Sequence, residues 1–548
     1  LERDLIDKDS IVSQTGFLRL QERLRTLFHS SSLVAGVAAI QDERVLLLST
    51  GREITHNCIF GDSHHAPKSY FEGSVFYRSV MEDSIMIVRD LTDEPSPAPA
   101  DEELIRDGYR SILVAPLKYQ DEPLGTLILK SPIPGEFGPT TVMLAEQIVP
   151  LFSMALKRAL DELNSNVQRV IKEKCTAVHP SVEWRFQQVV YDHLETLHKG
   201  EASDLEAIVF RDVYPLYAAS DIRGSSDERN NSIQADLSDH LRLALDIVSS
   251  ASEARSLPIL HELGHRIGGE ARRIESGVSS GDDMSVIRFL RGELEPVFPI
   301  LREFGPRVAE AIQAYEGALE PMMGTVYRKR KVFEESVSRF NERLSGYLDR
   351  EEAEAQAVFP HYFDKHQTDG IDYLIYLGAS MVENGEFDPL YVRNMRLWQL
   401  MVACGIAWHA EQLKSVLQVP LDVTHLILVH NTPLSIRFRF DEKRFDVDGA
   451  YDVAHEIVRS RIDKAMVRGG KERLTQPEKI AIVYSRPEEA REMIRHIDFL
   501  RTEGYLRGDV ESLELENLQG VQGLKALRVA VNLESTALAR RAQGPDTL

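Results

Sequence analysis

The stretch from Gly73 to Leu129 decides how this chain is read. It runs through Ile85-Met-Ile-Val-Arg-Asp-Leu91, then Glu102-Glu-Leu-Ile-Arg-Asp-Gly108, then Tyr109-Arg-Ser-Ile-Leu-Val-Ala-Pro-Leu-Lys118. A polar Gln120-Asp-Glu-Pro123 follows, and after it Leu124-Gly-Thr-Leu-Ile-Leu129. The first segment is short, apolar and β-branched, as strands are. The second has helical spacing. The last two flank a turn and pair as a hairpin, with Gly125 near the start of the second strand. Strand, helix and hairpin in that order predict a small α/β fold around an antiparallel sheet.

Upstream, Phe17, Leu18, Leu20, Leu24, Leu27 and Phe28 recur at helical spacing. Residues Leu33 to Ile40 and Arg44 to Ser49 are apolar runs separated by Gln41-Asp-Glu43, a second hairpin signal. The prolines of Glu94-Pro-Ser-Pro-Ala-Pro-Ala100 predict a loop, because each removes a backbone donor. From Thr140 past Lys174 the pattern is helical, with Leu144, Ile148, Leu151, Phe152, Ala155, Leu160 and Leu163 on one stripe. Pro150 is expected to bend it.

Over roughly residues 14 to 160 this order resembles the GAF domain. The resemblance implies a fold that buries a small ligand or signals through dimers. It implies that Phe60, Asp62, Phe76, Tyr109, Arg110 and Ser111 line the ligand cavity. A collapsed, ligand-free domain acting only in dimerisation is the alternative. Cys58 is where phytochrome-type relatives attach a tetrapyrrole, but their motif puts histidine next and Ile59 stands here. His56, Cys58, His64 and His65 are weighed as metal ligands and read instead as a structural thiol and loop histidines. No cofactor is expected.

The bulk numbers bound the rest. A chain of 548 residues exceeds one ordinary core. Its 43% hydrophobic and 27% charged content are those of a soluble protein. A net charge of -22 argues against nucleic acid and anionic membranes as partners, and Arg328-Lys-Arg-Lys331 is too local to reverse that. No apolar run of about 18 residues predicts a membrane span. Three scattered cysteines, Cys58, Cys175 and Cys404, imply no disulfide framework and suit a cytoplasmic setting. The chain opens at Leu1 rather than Met, which suggests that an upstream domain has been removed.

The expected fold is α+β multidomain: a GAF-like α/β sandwich, a central all-α helical region and a small C-terminal α+β domain. The predicted boundaries are a linker over 1–16, the GAF-like domain over 17–160, connecting helices over 161–205, a helical domain over 206–420, the α+β domain over 421–535 and a tail over 536–548. Within the helical domain, segments near 231–255, 257–275, 283–303, 306–321 and 325–357 carry helical periodicity, and 360–420 reads as mixed helix. In the last domain, strands are expected over His425–His430, Leu434–Phe440, Lys479–Tyr484, Val510–Leu515 and Leu524–Asn532. Helices are expected over Ala450–Val467 and Pro487–Glu503.

Four motifs carry chemistry on paper. His261-Glu-Leu-Gly-His265 puts two histidines on one helix face, able to share zinc, with Glu262 as general base. Ala271 stands where a metzincin needs its third histidine, and a solvated helix face is the competing reading. A phospho-accepting histidine there would need a glycine-rich ATP site, which the downstream glycines do not form. Asp221-Ile-Arg-Gly-Ser-Ser-Asp-Glu-Arg-Asn230 offers Arg223, Ser225, Ser226 and Arg229 ahead of a helix, an anion-binding loop. Its competing reading is a cap by Ser225 or Ser226 with Glu228 as capping-box partner. Gly469-Gly-Lys-Glu-Arg-Leu-Thr475 lacks P-loop spacing, and Asp441, Asp446 and Asp448 read as a polar hairpin edge.

The functional expectation is a cytoplasmic regulatory protein with no catalytic residue. Its GAF-like domain senses a small ligand or mediates homodimerisation. A zinc hydrolase built on His261, His265 and Glu262, and a non-catalytic interaction scaffold, are the alternatives.

Overall fold

The computed structural model describes residues 14–543 except 42–43, 50–63, 95–96, 176–177, 199–203, 280, 384, 449–461, 463–464, 470–471 and 518–521. The chain divides into two compact units. The first is residues 1–208 with 438–445, and the second is 209–437 with 446–548.

The first unit is built on a six-stranded antiparallel sheet. In chain order its elements are α1 (Gln14–Leu27), β1 (Val34–Gln41), β2 (Arg44–Ser49), β3 (His64–Pro67), α2 (Val75–Met81), β4 (Met86–Val88), α3 (Pro99–Arg106), β5 (Ser111–Tyr119) and β6 (Glu122–Ser131). The strand order is β3-β2-β1-β6-β5-β4. Both predicted hairpins form, β1 with β2 and β5 with β6.

Side-chain alternation gives this sheet two different faces. Leu113, Ala115 and Leu117 of β5 and Leu127 and Leu129 of β6 point to one face. There α1 contributes Phe17, Leu20 and Leu24, and α4 (Pro139–Cys175) contributes Ile148, Phe152 and Leu156. Ile112, Val114 and Ile128 point to the other face, which α2 and α3 cover with Val75, Ala100 and Leu104. β1 crosses β6 closely at Gly125, where a Cβ would lie 1.9 Å from the Ala38 carbonyl oxygen.

The long helix α4 spans 37 residues and holds Pro150 inside it. It is long and apolar enough by composition to cross a membrane. Its apolar residues are divided between two jobs. The first half seals the sheet core. The second half buries Leu163, Val167, Ile171 and Cys175 and lies along α5 (Pro180–His198), which buries Val182, Phe186, Val189 and Val190. Gln168 donates to Glu183 at 2.8 Å and Tyr191 to Asn164 at 2.9 Å between the two helices. The long helix is therefore half of an intramolecular hairpin. Burial pushes the Cys175 thiol up to about 11.

The second unit has a helical core and a sheet. α6 (Ser225–Ala254), α7 (Pro258–Glu275), α8 (Asp282–Phe289), α9 (Phe298–Arg302) and α10 (Pro306–Ala318) share a core that includes Leu241, Ile247, Leu263, Ile267, Leu290 and Ile312. This matches the helical periodicity. The region over 206–420 is not all-α, however. It contains β7 (Val209–Ile222), β10 (Tyr362–Thr368) and β11 (Gly370–Leu377), besides the two-residue pair β8 (Leu319–Glu320) and β9 (Thr325–Val326).

β7, β10 and β11 join β12 (Val423–Leu428), β15 (Lys479–Tyr484), β16 (Leu506–Glu514) and β17 (Lys525–Val531) in the order β10-β11-β7-β12-β15-β17-β16, with β13 (Leu434–Arg439) pairing near the start of β7 and β14 (Arg444–Val447) pairing with β13. The expected boundary at 420/421 thus falls inside one sheet. The physical reason is burial: β11 is apolar and buried almost throughout, so it lacks the alternation that marks a half-exposed strand. α11 (Lys329–Val358), α12 (Pro389–Lys414), α13 (Pro487–Thr502) and α14 (Thr536–Gln543) cover one face through Phe340, Leu344, Cys404, Met493 and Leu538. Most of the helix expected over Ala450–Val467 lies outside the described residues.

Two buried carboxylates anchor helix starts here. Asp236 accepts from the backbone N–H groups of Arg328, Lys329 and Arg330 at 3.1, 2.9 and 3.0 Å, which satisfies the donors at the start of α11. Glu489 accepts from the N–H groups of Asn431, Ser485 and Arg486, each at 2.9 Å. That site lies past the carboxyl ends of β12 and β15, the parallel pair of the sheet.

Candidate functional site

On the α2/α3 face of the first sheet lie Phe76 and Tyr109, two of the residues that the GAF resemblance assigns to a ligand cavity. Phe60 and Asp62 lie outside the described residues, as do His56 and Cys58. His64 and His65 fall in β3. Phe76 is on α2 and packs edge-to-face on Phe71, with centroids 5.8 Å apart. Tyr109 precedes β5 and is half-buried.

Arg110 and Ser111 have structural partners. Arg110 Nε donates to Asp90 Oδ1 at 2.9 Å, and its Nη2 also contacts Asp90 and Thr92. These bonds hold the Asp90 carboxyl far below the usual range, and they fasten β5 to the turn after β4. Ser111 is buried and donates to the Ile133 carbonyl at 2.8 Å. Of the six predicted residues, Phe76 and Tyr109 are the described ones that pack on the covered face.

Two residues of this face were not singled out from sequence. Lys130 on β6 is only 5% exposed, and its ammonium sits 4.2 Å from the centroid of the Tyr109 ring. Asp101 on α3 is 2% exposed and accepts weakly from the Val75 N–H at 3.3 Å. Burial raises its pKa, against the opposing pull of that hydrogen bond and of Arg78. A signal existed for both. Thr126, Ile128 and Lys130 share one face by strand alternation, and Asp101 adjoins the buried Ala100–Leu104 stripe of α3.

The remaining motifs disperse. Gly224, not a serine, is the N-cap of α6, with φ of 71°, and no side chain caps the helix there. Ser225 is the first helical residue, so neither serine is the expected cap. Arg223 is exposed and Arg229 is tied to Asp369 at 2.5 Å, with its guanidinium over the Phe333 ring.

In the zinc-like motif, His261, Glu262 and His265 are all exposed on α7, while Leu260, Leu263 and Ile267 face the core. Glu262 lies 3.7 Å from Arg266. No group of three His, Cys, Asp or Glu residues is placed to hold a metal among the described residues.

Residues 20–156 match the family model of the GAF domain. Solved structures similar to the chain include the GAF domain of a two-component sensor histidine kinase from Bacillus halodurans. It is 16% identical, with a TM-score of 0.23, and the match covers 27% of this chain and 95% of that one. A free methionine-R-sulfoxide reductase from Neisseria meningitidis is 13% identical, with a TM-score of 0.23, over 29% of this chain and 86% of that one. The GAF domain of an Acinetobacter phosphoenolpyruvate-protein phosphotransferase is 12% identical, with a TM-score of 0.22, over 30% of this chain and 94% of that one. At these identities and scores no property of those proteins passes to this chain. No curated protein matches it. The GAF domain supports a sensing or signalling role in general terms.

Proposed function

We propose that the chain is a cytoplasmic regulatory protein whose GAF domain takes a small anionic ligand on the α2/α3 face of its sheet. The observation that carries this reading is the burial of Lys130 on that face. Its ammonium is drawn into the covered face and lies 4.2 Å from the centroid of the Tyr109 ring, so positive charge is held where a small anion would bind. Phe76 and Tyr109 supply aromatic wall, and Asp101 sits near as a carboxyl that burial biases toward its neutral form. α4 supports the signalling half of the proposal. One helix touches the sheet core with its first half and α5 with its second, so a shift of the sheet moves the hairpin.

The test is thermal unfolding of the full chain with a panel of small carboxylates, phosphate esters and cyclic nucleotides. A ligand at about 100 times its Kd stabilises by about 2.7 kcal/mol, a clear rise in the midpoint. Lys130→Met is expected to keep the fold and lose that rise. A panel with no anion that shifts the wild type, or a shift that Lys130→Met retains, refutes the reading.

A homodimer belongs to the same proposal. α1 and α4 cover one face of the sheet and turn Leu18, 53% exposed, and Met143, 64% exposed, outward. Sedimentation of the wild type against a Leu18→Glu, Met143→Glu variant separates a dimer from a monomeric scaffold.

A further inference from the structure

The helical core of the second unit contains a polar chain that ends at a cavity. His240 on α6 is fully buried. Its Nδ1 lies 3.1 Å from Thr325 Oγ1 and its Nε2 lies 2.9 Å from the Tyr315 hydroxyl. Tyr315 on α10 is also fully buried, and its hydroxyl donates to Glu295 Oε1 at 3.1 Å. The proton order follows from valence. The phenol spends its single proton on the carboxylate, so His240 Nε2–H donates to the phenol oxygen and Nδ1 accepts from Thr325. Burial, helped by the charge of Arg291, lowers the His240 pKa to about 4, so the ring stays neutral.

The chain Thr325, His240, Tyr315, Glu295 therefore contains neutral donors, all oriented toward one carboxylate. Glu295 borders a cavity of about 330 Å³ whose wall also includes Phe298, Arg302, Tyr315 and Glu316. That is room for roughly ten waters at about 30 Å³ each. The charges around it are unequal. Arg302 is already engaged, with one nitrogen 2.6 Å from both carboxylate oxygens of Glu316. Arg291 is directed to the Met323 carbonyl at 3.2 Å. Glu295 is half-buried and has no ion-pair partner among the described residues. Phe298 and Tyr315 meet edge-to-face, with centroids 5.3 Å apart, and give the cavity an aromatic side. Leu290–Leu294, immediately before Glu295, winds as a π-helix, an irregularity that recurs at functional sites.

We propose that this cavity is a binding site for a small organic cation, an amine with an apolar body, in which Glu295 is the counter-ion. The phenol fixes the carboxylate in place, so the site is organised before the ligand arrives. The aromatic side receives the apolar body and favours a cation over a neutral ligand. An anionic ligand would have to face an unpaired carboxylate.

The test uses the intact protein and three matched probes at neutral pH: benzylammonium, benzyl alcohol and benzoate, measured by calorimetric titration. Benzylammonium is expected to bind, and the other two to bind at least roughly tenfold more weakly. Glu295→Gln is expected to weaken benzylammonium at least roughly tenfold. Tyr315→Phe keeps the ring, removes the hydroxyl that holds the carboxylate and should cost roughly fivefold. Should Glu295→Gln fail to fold, as circular dichroism would show, the Tyr315→Phe result and the probe ranking decide. Absence of benzylammonium binding to the wild type, equal binding of benzoate, or undiminished affinity in the folded variants overturns the site.

Discussion

The two sheets of this protein are assembled in opposite ways. In the first unit, β1 and β2, and likewise β5 and β6, are separated by only two residues along the chain. In the second, the central strand β7 pairs Asp221 with Gly370 on one side and Ile222 with Val423 on the other, across intervening helices. The first sheet separates an apolar face from one that carries a buried lysine and is covered by a helix bearing a buried aspartate. The second faces its helices with an almost wholly apolar layer in which His425 is bonded to Ser220 at 2.9 Å. Local pairing leaves one face available for chemistry, whereas long-range pairing spends its surface on holding the unit together.

The largest expected effects come from forcing the close approaches of each unit. Gly125→Val should cost more than about 4 kcal/mol and unfold the first unit, because its Cβ would sit 1.9 Å from the Ala38 oxygen in a backbone conformation of φ +158°. In the second unit, Gly405→Ala would place a methyl 2.0 Å from the Tyr347 hydroxyl and should cost about 2–3 kcal/mol. The ring's Cζ would also lie 2.4 Å from the new methyl, so the smaller side chain of Tyr347→Leu, and not Tyr347→Phe, should rescue part of the loss. A double-mutant cycle in denaturant measures the coupling, and strictly additive losses would contradict the packing described.

Acid should separate the units next. Burial depresses the pKa values of His240, His409 and His425 to about 4, and all three lie in the second unit. A histidine depressed on folding stabilises fully above its unfolded value, near 6.5, and loses that contribution as pH falls toward 4. Each is worth on the order of 2–3 kcal/mol. Asp101, in the first unit, has the opposite sign. Its raised pKa favours the protonated folded state, so its contribution is present in acid and lost as pH rises through the folded value. The second unit should therefore unfold first between pH 6.5 and 4. Fluorescence of a Trp184→Phe variant follows it alone, since Trp398 and Trp408 belong to that unit. Simultaneous loss of both units would refute the assignment.

The smallest effect is expected at the zinc-like motif. A His261→Ala, His265→Ala double variant should change stability by less than about 0.5 kcal/mol and leave the metal content by elemental analysis unchanged. A fall in bound zinc would restore the hydrolase alternative.

What could be read from the sequence follows the same division. The hairpins and α4 were legible because their partners are neighbours and their periods are clean. The helices around Leu241 and Leu263 were legible for the same reason. β7 was not, since Tyr214-Pro-Leu-Tyr217 carries a proline and its partners lie far along the chain. At the candidate site, Phe76 and Tyr109 came from the GAF resemblance. Lys130 was missed because a lysine near a strand end reads as a surface residue until the face it shares with Ile128 is followed. The Glu295 site needed His240, Tyr315 and Thr325 brought to Glu295 from separate elements, which no spacing in the chain announces.

One consequence of the Glu489 carboxylate concerns traffic at the edge of the second sheet. Open α/β sheets commonly receive ligands past the carboxyl ends of their parallel strands, where free amides welcome a phosphate. Here the three amides already donate to a carboxylate of the protein itself, 1% exposed to solvent. A nucleotide arriving at that edge would meet a tenant it must evict, so the molecule carries its own resident anion and closes this doorway to others.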